Sequence, residues 1–117
     1  MNITIQLPQT LTDRIITGIM ENFPEASQDC ALLCTGWNYH NCKFDFEDGE
    51  TGDQFTVTKE SLENALPLLF SDKWPKGCTK PPLSANDDLW NDWLGNSDAT
   101  DFDAFIQLAI FGEVIYG

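Results

Sequence analysis

The chain has 117 residues, 42% of them hydrophobic, and its 19 acidic and 6 basic residues leave a formal net charge of −13. That apolar content excludes a disordered chain and suffices for one core without metal or disulfide staples. The charge excludes nucleic acids and anionic membranes as direct partners, since both are repelled at long range, and favours a basic protein.

In chain order, Ile3, Ile5 and Leu7 alternate with polar residues, the period of a half-buried strand, and Pro8 closes it. Met1 to Pro8 show no basic segment followed by an apolar one, and no apolar run approaches the length of a membrane helix. Neither signal peptide nor membrane span is expected, and the cytoplasm is the expected compartment. Thr10 and Asp13 have the spacing of a capping box, ahead of Leu11, Ile15, Ile16, Ile19, Met20 and Phe23 at helical spacing; Pro24 should stop that helix. From Cys30 to Trp37 the chain is apolar but short, and helix and strand both fit.

Lys43–Glu47 and Gln54–Thr58 both alternate, with Phe44, Phe46, Phe55 and Val57 on one face and turn residues between them, which predicts a β-hairpin. Asp45 and Glu47 then point away from the core. Thr58 can cap a helix carrying Leu62, Ala65, Leu66, Leu69 and Phe70, kinked or shortened by Pro67. Trp74 to Leu83 reads as a loop. A short helix follows from Asp87 to Leu94, gathering Leu89, Trp90, Trp93 and Leu94 and ended by Gly95. The last helix is apolar on most sides (Phe102, Phe105, Ile106, Leu108, Ala109, Ile110, Phe111) and therefore buried, with Asp98, Asp101 and Asp103 at its positive end. Val114, Ile115 and Tyr116 suggest a terminal strand. The expected architecture is a single acidic α+β domain over residues 1–117. A small antiparallel sheet, made of the N-terminal strand and the hairpin, packs with three to four helices.

The acids fall in blocks. Asp45, Glu47, Asp48, Glu50 and Asp53 form one without a base among them, and from Pro81 to Gly117 there are seven acids and again no base. Lys59, Lys73, Lys76 and Lys80 lie between the blocks. Acidity for solubility alone is the plain alternative to a binding surface. Trp90 and Trp93, ringed by Asp87, Asp88 and Asp92, have the composition of an aromatic anchor for a basic partner, against the simpler alternative of core packing.

Catalytic and metal chemistry find little support. Cys30, Cys34, His40 and Cys42 have donors suited to tetrahedral zinc, but the spacing C-x3-C-x5-H-x-C matches no standard finger or ribbon. Buried core cysteines explain the pattern as well, so no metal or other cofactor is expected. The turn from Asp45 to Asp53 is rich in acids yet lacks the spacing of an EF-hand. His40, the one histidine, has no flanking signature of a triad, and no nucleophile is paired with a base, so no enzymatic activity is expected.

The stretch DATDFDAFIQLAIFGEVIYG (Asp98–Gly117) resembles the ending of small acidic proteins encoded by tailed phages and prophages, and FTVTKESLENALPLLF (Phe55–Phe70) is similar to the same group. The resemblance implies a phage or mobile-element origin and a bacterial host cytoplasm, and it brings no catalytic residues. In size and acidity the chain also resembles anti-CRISPR and anti-restriction inhibitors that mimic DNA. The expectation is a non-enzymatic protein whose partner is a basic, nucleic-acid-binding protein. The contact would run through Asp45, Glu47, Asp48, Glu50 and Asp53, with Asp87, Asp88 and Asp92 as a second row. The alternatives are an accessory or structural phage protein using Trp90 and Trp93, and a small zinc protein.

Overall fold

An α+β fold is seen in a computed structural model that describes residues 7–26, 32–38 and 43–116; side chains are described except those of 22–26. Among the described residues there are four α-helices and one three-stranded antiparallel sheet.

Helix α1 runs Gln9–Ala26 and buries Leu11, Ile15, Ile16, Ile19 and Met20, the stripe that recurs at three- and four-residue steps. Two details depart from expectation. The Thr10–Asp13 capping box does not form, because the helix already begins at Gln9 and Thr10 lies inside its first turn. The Pro8 carbonyl accepts from the amides of Leu11 and Thr12, both at 3.0 Å, and the Asp13 carboxylate accepts from Gln9 Nε2 and pairs with Lys59, both at 2.9 Å. Nor does Pro24 stop the helix, which continues to Ala26. Proline's ring fixes a helical φ, and in the last turn its missing N–H forfeits only one bond.

The ambiguous apolar stretch proves to be strand β1, Leu32–Asn38, followed by β2, Lys43–Asp48, and β3, Gln54–Thr58, in the order β1-β2-β3. The sheet is thus the predicted hairpin plus one more strand. The N-terminal strand predicted at Ile3 and Ile5 lies outside the described residues. The hairpin register opposes Phe44 to Val57 and Phe46 to Phe55, which places the aromatic residues on one face as the alternation required. A bulge at Thr35 shifts β1 so that Cys34 faces Phe46 and Gly36 faces Asp45.

Thr58 caps α2, Lys59–Ala65, in a reciprocal box with Ser61. Pro67 shortens that helix as expected, and the chain tightens into a 3-10 turn over Leu66–Phe70. Helix α3 spans Asp87–Asn96 behind an Asn86 cap, and it runs through Gly95 rather than ending there. It stops at Ser97, whose amide and hydroxyl both donate to the Trp93 carbonyl, at 3.0 and 2.6 Å. Gly18 is where α1 and α3 approach: a Cβ there would stand 2.7 Å from Leu94 Cδ1.

Helix α4, Ala99–Phe111, is central and buries Phe102, Ala104, Phe105, Ile106 and Leu108. It packs on α1, α2 and β3. Ile19, Met20, Phe44, Phe46, Leu62 and Ile106 meet between sheet and helices without room for a water. Gly112, at φ 75°, ends α4 in the left-handed conformation. The expected terminal strand is absent: residues 114–116 have no regular structure. Among the described residues no helix is long and apolar enough to cross a membrane.

Candidate functional site

The first acidic block lies on the hairpin. Burial of Phe44 and Phe46 turns Asp45 and Glu47 to the outer face of β2, Asp45 exposed and Glu47 half-buried. Alternate residues on an extended strand stand about 6.6 Å apart. Thr56, opposite Asp45 on β3, donates its hydroxyl to Asp45 Oδ1 at 2.9 Å and fixes that carboxylate. Glu50 and Asp53 are exposed in the turn. Among the described residues Arg14 pairs with Asp87 and Lys59 with Asp13 and Glu63, and no base pairs with Asp45, Glu47, Glu50 or Asp53. The block is therefore a patch of uncompensated charge.

Asp48 is a correction to the predicted row. It is only 3% exposed, because its side chain builds the turn. Oδ1 accepts from the amides of Glu50 and Thr51 at 2.8 and 3.3 Å, and Oδ2 accepts from the Tyr116 hydroxyl at 2.7 Å. Such bonds favour the charged form and hold the Asp48 carboxyl below its ordinary value, with the Tyr116 bond the largest cause. The same bond pushes the Tyr116 phenol up to about 12, and burial and the charges of Asp48, Glu50 and Asp53 push in the same direction. One hydroxyl thus senses three acids of the turn.

The second row does not join the first. Asp87, Asp88 and Asp92 are exposed on α3, and Asp87 is neutralised by Arg14 of α1 at 3.0 Å. Asp87 and Asp88 also occupy the first turn, where the helix dipole favours carboxylates. Helix α3 packs on α1, whereas β3 packs on α2 and α4, so the two blocks are carried by different elements.

Trp90 and Trp93 are not a surface anchor. They are 0% and 4% exposed, their rings lie edge to face at 5.4 Å, and Trp90 meets Phe70 at 6.1 Å. Both indoles donate inward to the loop that precedes α3: Trp90 Nε1 to the Ser84 carbonyl at 2.9 Å and Trp93 Nε1 to the Thr79 carbonyl at 3.0 Å. Trp74 Nε1 shares that Thr79 carbonyl at 3.1 Å. The three-residue spacing of the pair put both rings on one helix face, and that face became the buried one. Trp37, 53% exposed, is the tryptophan that meets solvent.

Of the zinc candidates, Cys30, His40 and Cys42 lie outside the described residues. Cys34 is half-buried on β1, its thiol directed at the Gly36 carbonyl at 3.6 Å. Among the described residues no three His, Cys, Asp or Glu side chains come together as metal donors. Cys78 is buried, and desolvation followed by the Asp101 charge pushes its thiol up to about 11, far from a reactive thiolate.

Two polar residues hold the loop and the tail: Asp101, expected only at the positive end of α4, and Gln107, which sequence reasoning passed over. Asp101 does more than cap α4: its Oδ1 and Oδ2 accept from the Thr79 amide at 2.8 Å and hydroxyl at 2.7 Å. Gln107, fully buried on α4, accepts through Oε1 from the amides of Ile115 and Tyr116, both at 2.9 Å. Its Nε2 donates to Asp103 Oδ2 at 2.9 Å and to the Tyr116 carbonyl at 3.2 Å. A side-chain amide thus gives the tail the bonds a neighbouring strand would have supplied, which explains why 114–116 read as a strand and is not one. A lone glutamine in an apolar helix was the one available signal. No protein-family model, curated protein or solved structure matches this chain.

Proposed function

We propose that the protein is a non-enzymatic binding protein whose hairpin acids engage a basic, nucleic-acid-binding protein in the manner of a DNA mimic. The observation that carries this is the set of four carboxylates on one hairpin, Asp45, Glu47, Glu50 and Asp53, none compensated by a base. Unpaired acids, two of them at alternate positions of an extended strand, suit a groove lined with lysine and arginine, and long-range attraction speeds the encounter. Asp48 belongs to the frame that presents them. The similarity of the chain's final segment to phage proteins gives the setting, an anti-defence inhibitor of the anti-CRISPR kind acting in a bacterial host's cytoplasm. The burial of Trp90 and Trp93 removes the support for an aromatic-patch alternative.

The test is capture from host lysate by the tagged protein, washed at low and high salt and challenged with duplex DNA. One nucleic-acid-binding protein should be retained, released by salt because exposed charges are screened, and displaced by DNA. The variant combining Asp45→Asn, Glu47→Gln, Glu50→Gln and Asp53→Asn should lose at least tenfold in affinity with an unchanged melting midpoint. Capture that survives this variant refutes the assignment.

A further inference from the structure

Three lysines share one loop. Lys73, Lys76 and Lys80 lie on the loop between the 3-10 turn and α3, and among the described residues none forms an ion pair, although the chain has 19 acids. Two of them, Lys76 and Lys80, line an open groove of about 340 Å³ whose walls are apolar, among them Leu69, Phe70, Trp74, Pro81 and Leu83. Leu83, at 66%, is the most exposed large hydrophobic residue of the described chain.

The loop is long for its position, sixteen residues from Ser71 to Asn86 without a regular element. Connections of that length in small domains are uncommon and usually either functional or disordered. Here the loop is held by several independent ties. Thr79 takes two indole bonds on its carbonyl and gives two bonds to Asp101, Trp90 holds the Ser84 carbonyl, and the Cys78 amide bonds the Pro75 carbonyl at 3.1 Å. Pro75, Pro81 and Pro82 stiffen it further. The groove is therefore formed before any ligand arrives, which lowers the ordering cost of binding.

We infer that this groove is a docking site for an apolar peptide segment flanked by aspartate or glutamate on another protein. Its floor takes apolar side chains and its rim carries two unpaired ammonium groups. Nucleic acid would meet the same lysines but also the field of a chain at −13, which a short acidic segment of a folded partner feels less. The volume lies at the small end of ligand sites, and the open shape suits an extended chain laid across it. The groove shares no lining residue with the acidic hairpin, being built by the 3-10 turn and the loop that follows it.

A random twelve-residue peptide library selected on the full chain, with counter-selection on a variant carrying Lys76→Glu, Lys80→Glu and Leu83→Asp, tests this. All three side chains are exposed, so the variant should melt with the parent protein. Recovered peptides should combine leucine or aromatic residues with adjacent aspartate or glutamate. By fluorescence polarisation a labelled representative should lose at least tenfold in affinity for the groove variant and keep its affinity for the hairpin variant described above. Failure of the hairpin assignment alone thus leaves this result standing. The inference is overturned if the peptides are basic or lack acids, if none is enriched over the groove variant, or if oleate alone shows lysine-dependent binding, which would mark the groove as a site for anionic amphiphiles.

Discussion

Replacing Gln107 by leucine, Gln107→Leu, separates the tail from the body of the protein. The side chain is 0% exposed and uses its whole bonding capacity, three contacts with the backbone of Ile115 and Tyr116 and one with Asp103. Leucine fills a similar volume and makes none of them. Each lost backbone bond costs about 0.5–1.5 kcal/mol net, and the half-buried Asp103 carboxylate loses a donor for about 1.5–3 kcal/mol more. Burying leucine in place of an amide offsets about 2 kcal/mol of this. The expected net loss is about 3 kcal/mol, a large share of the 5–15 kcal/mol, roughly, that a domain of this size possesses. Urea denaturation followed by tryptophan fluorescence measures it. A companion Tyr116→Phe substitution tests the cause, since Tyr116 reaches Asp48 only while the tail is docked. It should destabilise the wild-type protein and leave the Gln107→Leu protein nearly unchanged. A loss below about 1 kcal/mol, or equal Tyr116→Phe effects in both backgrounds, would show that Gln107 does not hold the tail.

Asp103 gives a pH-dependent case. Burial pushes its carboxyl above the ordinary value of 3.8, opposed by the Gln107 bond and by the Leu32 amide. A raised folded-state value means that the native protein binds the extra proton, so its stability falls as pH rises from the unfolded value through the folded one. Asp103→Asn should therefore stabilise at pH 7 and lose that advantage by pH 3, as denaturant midpoints at the two values would show; equal effects would refute the desolvation cause. Asp101→Ala removes two charge-assisted bonds from Thr79 and one from the Asp98 amide, and should cost about 3 kcal/mol. It should also speed hydrogen exchange at Thr79, whereas unchanged protection there would mean that the indole bonds alone fix the loop.

The candidate site was partly legible in advance. Asp45 and Glu47 could be placed on the outer face because Phe44 and Phe46 alternate with them, and a period of two leaves no other arrangement for a half-buried strand. Asp48 continues the same alternation into the core face and was misplaced, because turn chemistry reads alike for an exposed acid and for one whose side chain closes the turn. Trp90 and Trp93 had the spacing of a shared face, but spacing does not say which side of a helix the core occupies.

Patterning by itself determined the α+β class, the hairpin with its apolar face, the Thr58 cap, the shortening at Pro67 and the burial of the last helix. Each follows from interactions within a few residues or from an apolar period, and both are written in the local sequence. Only the tertiary structure decided that Asp101 would reach Thr79, that Gln107 would hold the tail, and that Tyr116 would bond Asp48 across 68 residues of chain. It also decided that Lys76 and Lys80 would be left without an ion pair among the described residues, beside an apolar groove. These pairings join polar groups from distant segments. Their partners are selected by what the packed core brings together, and no local period encodes that.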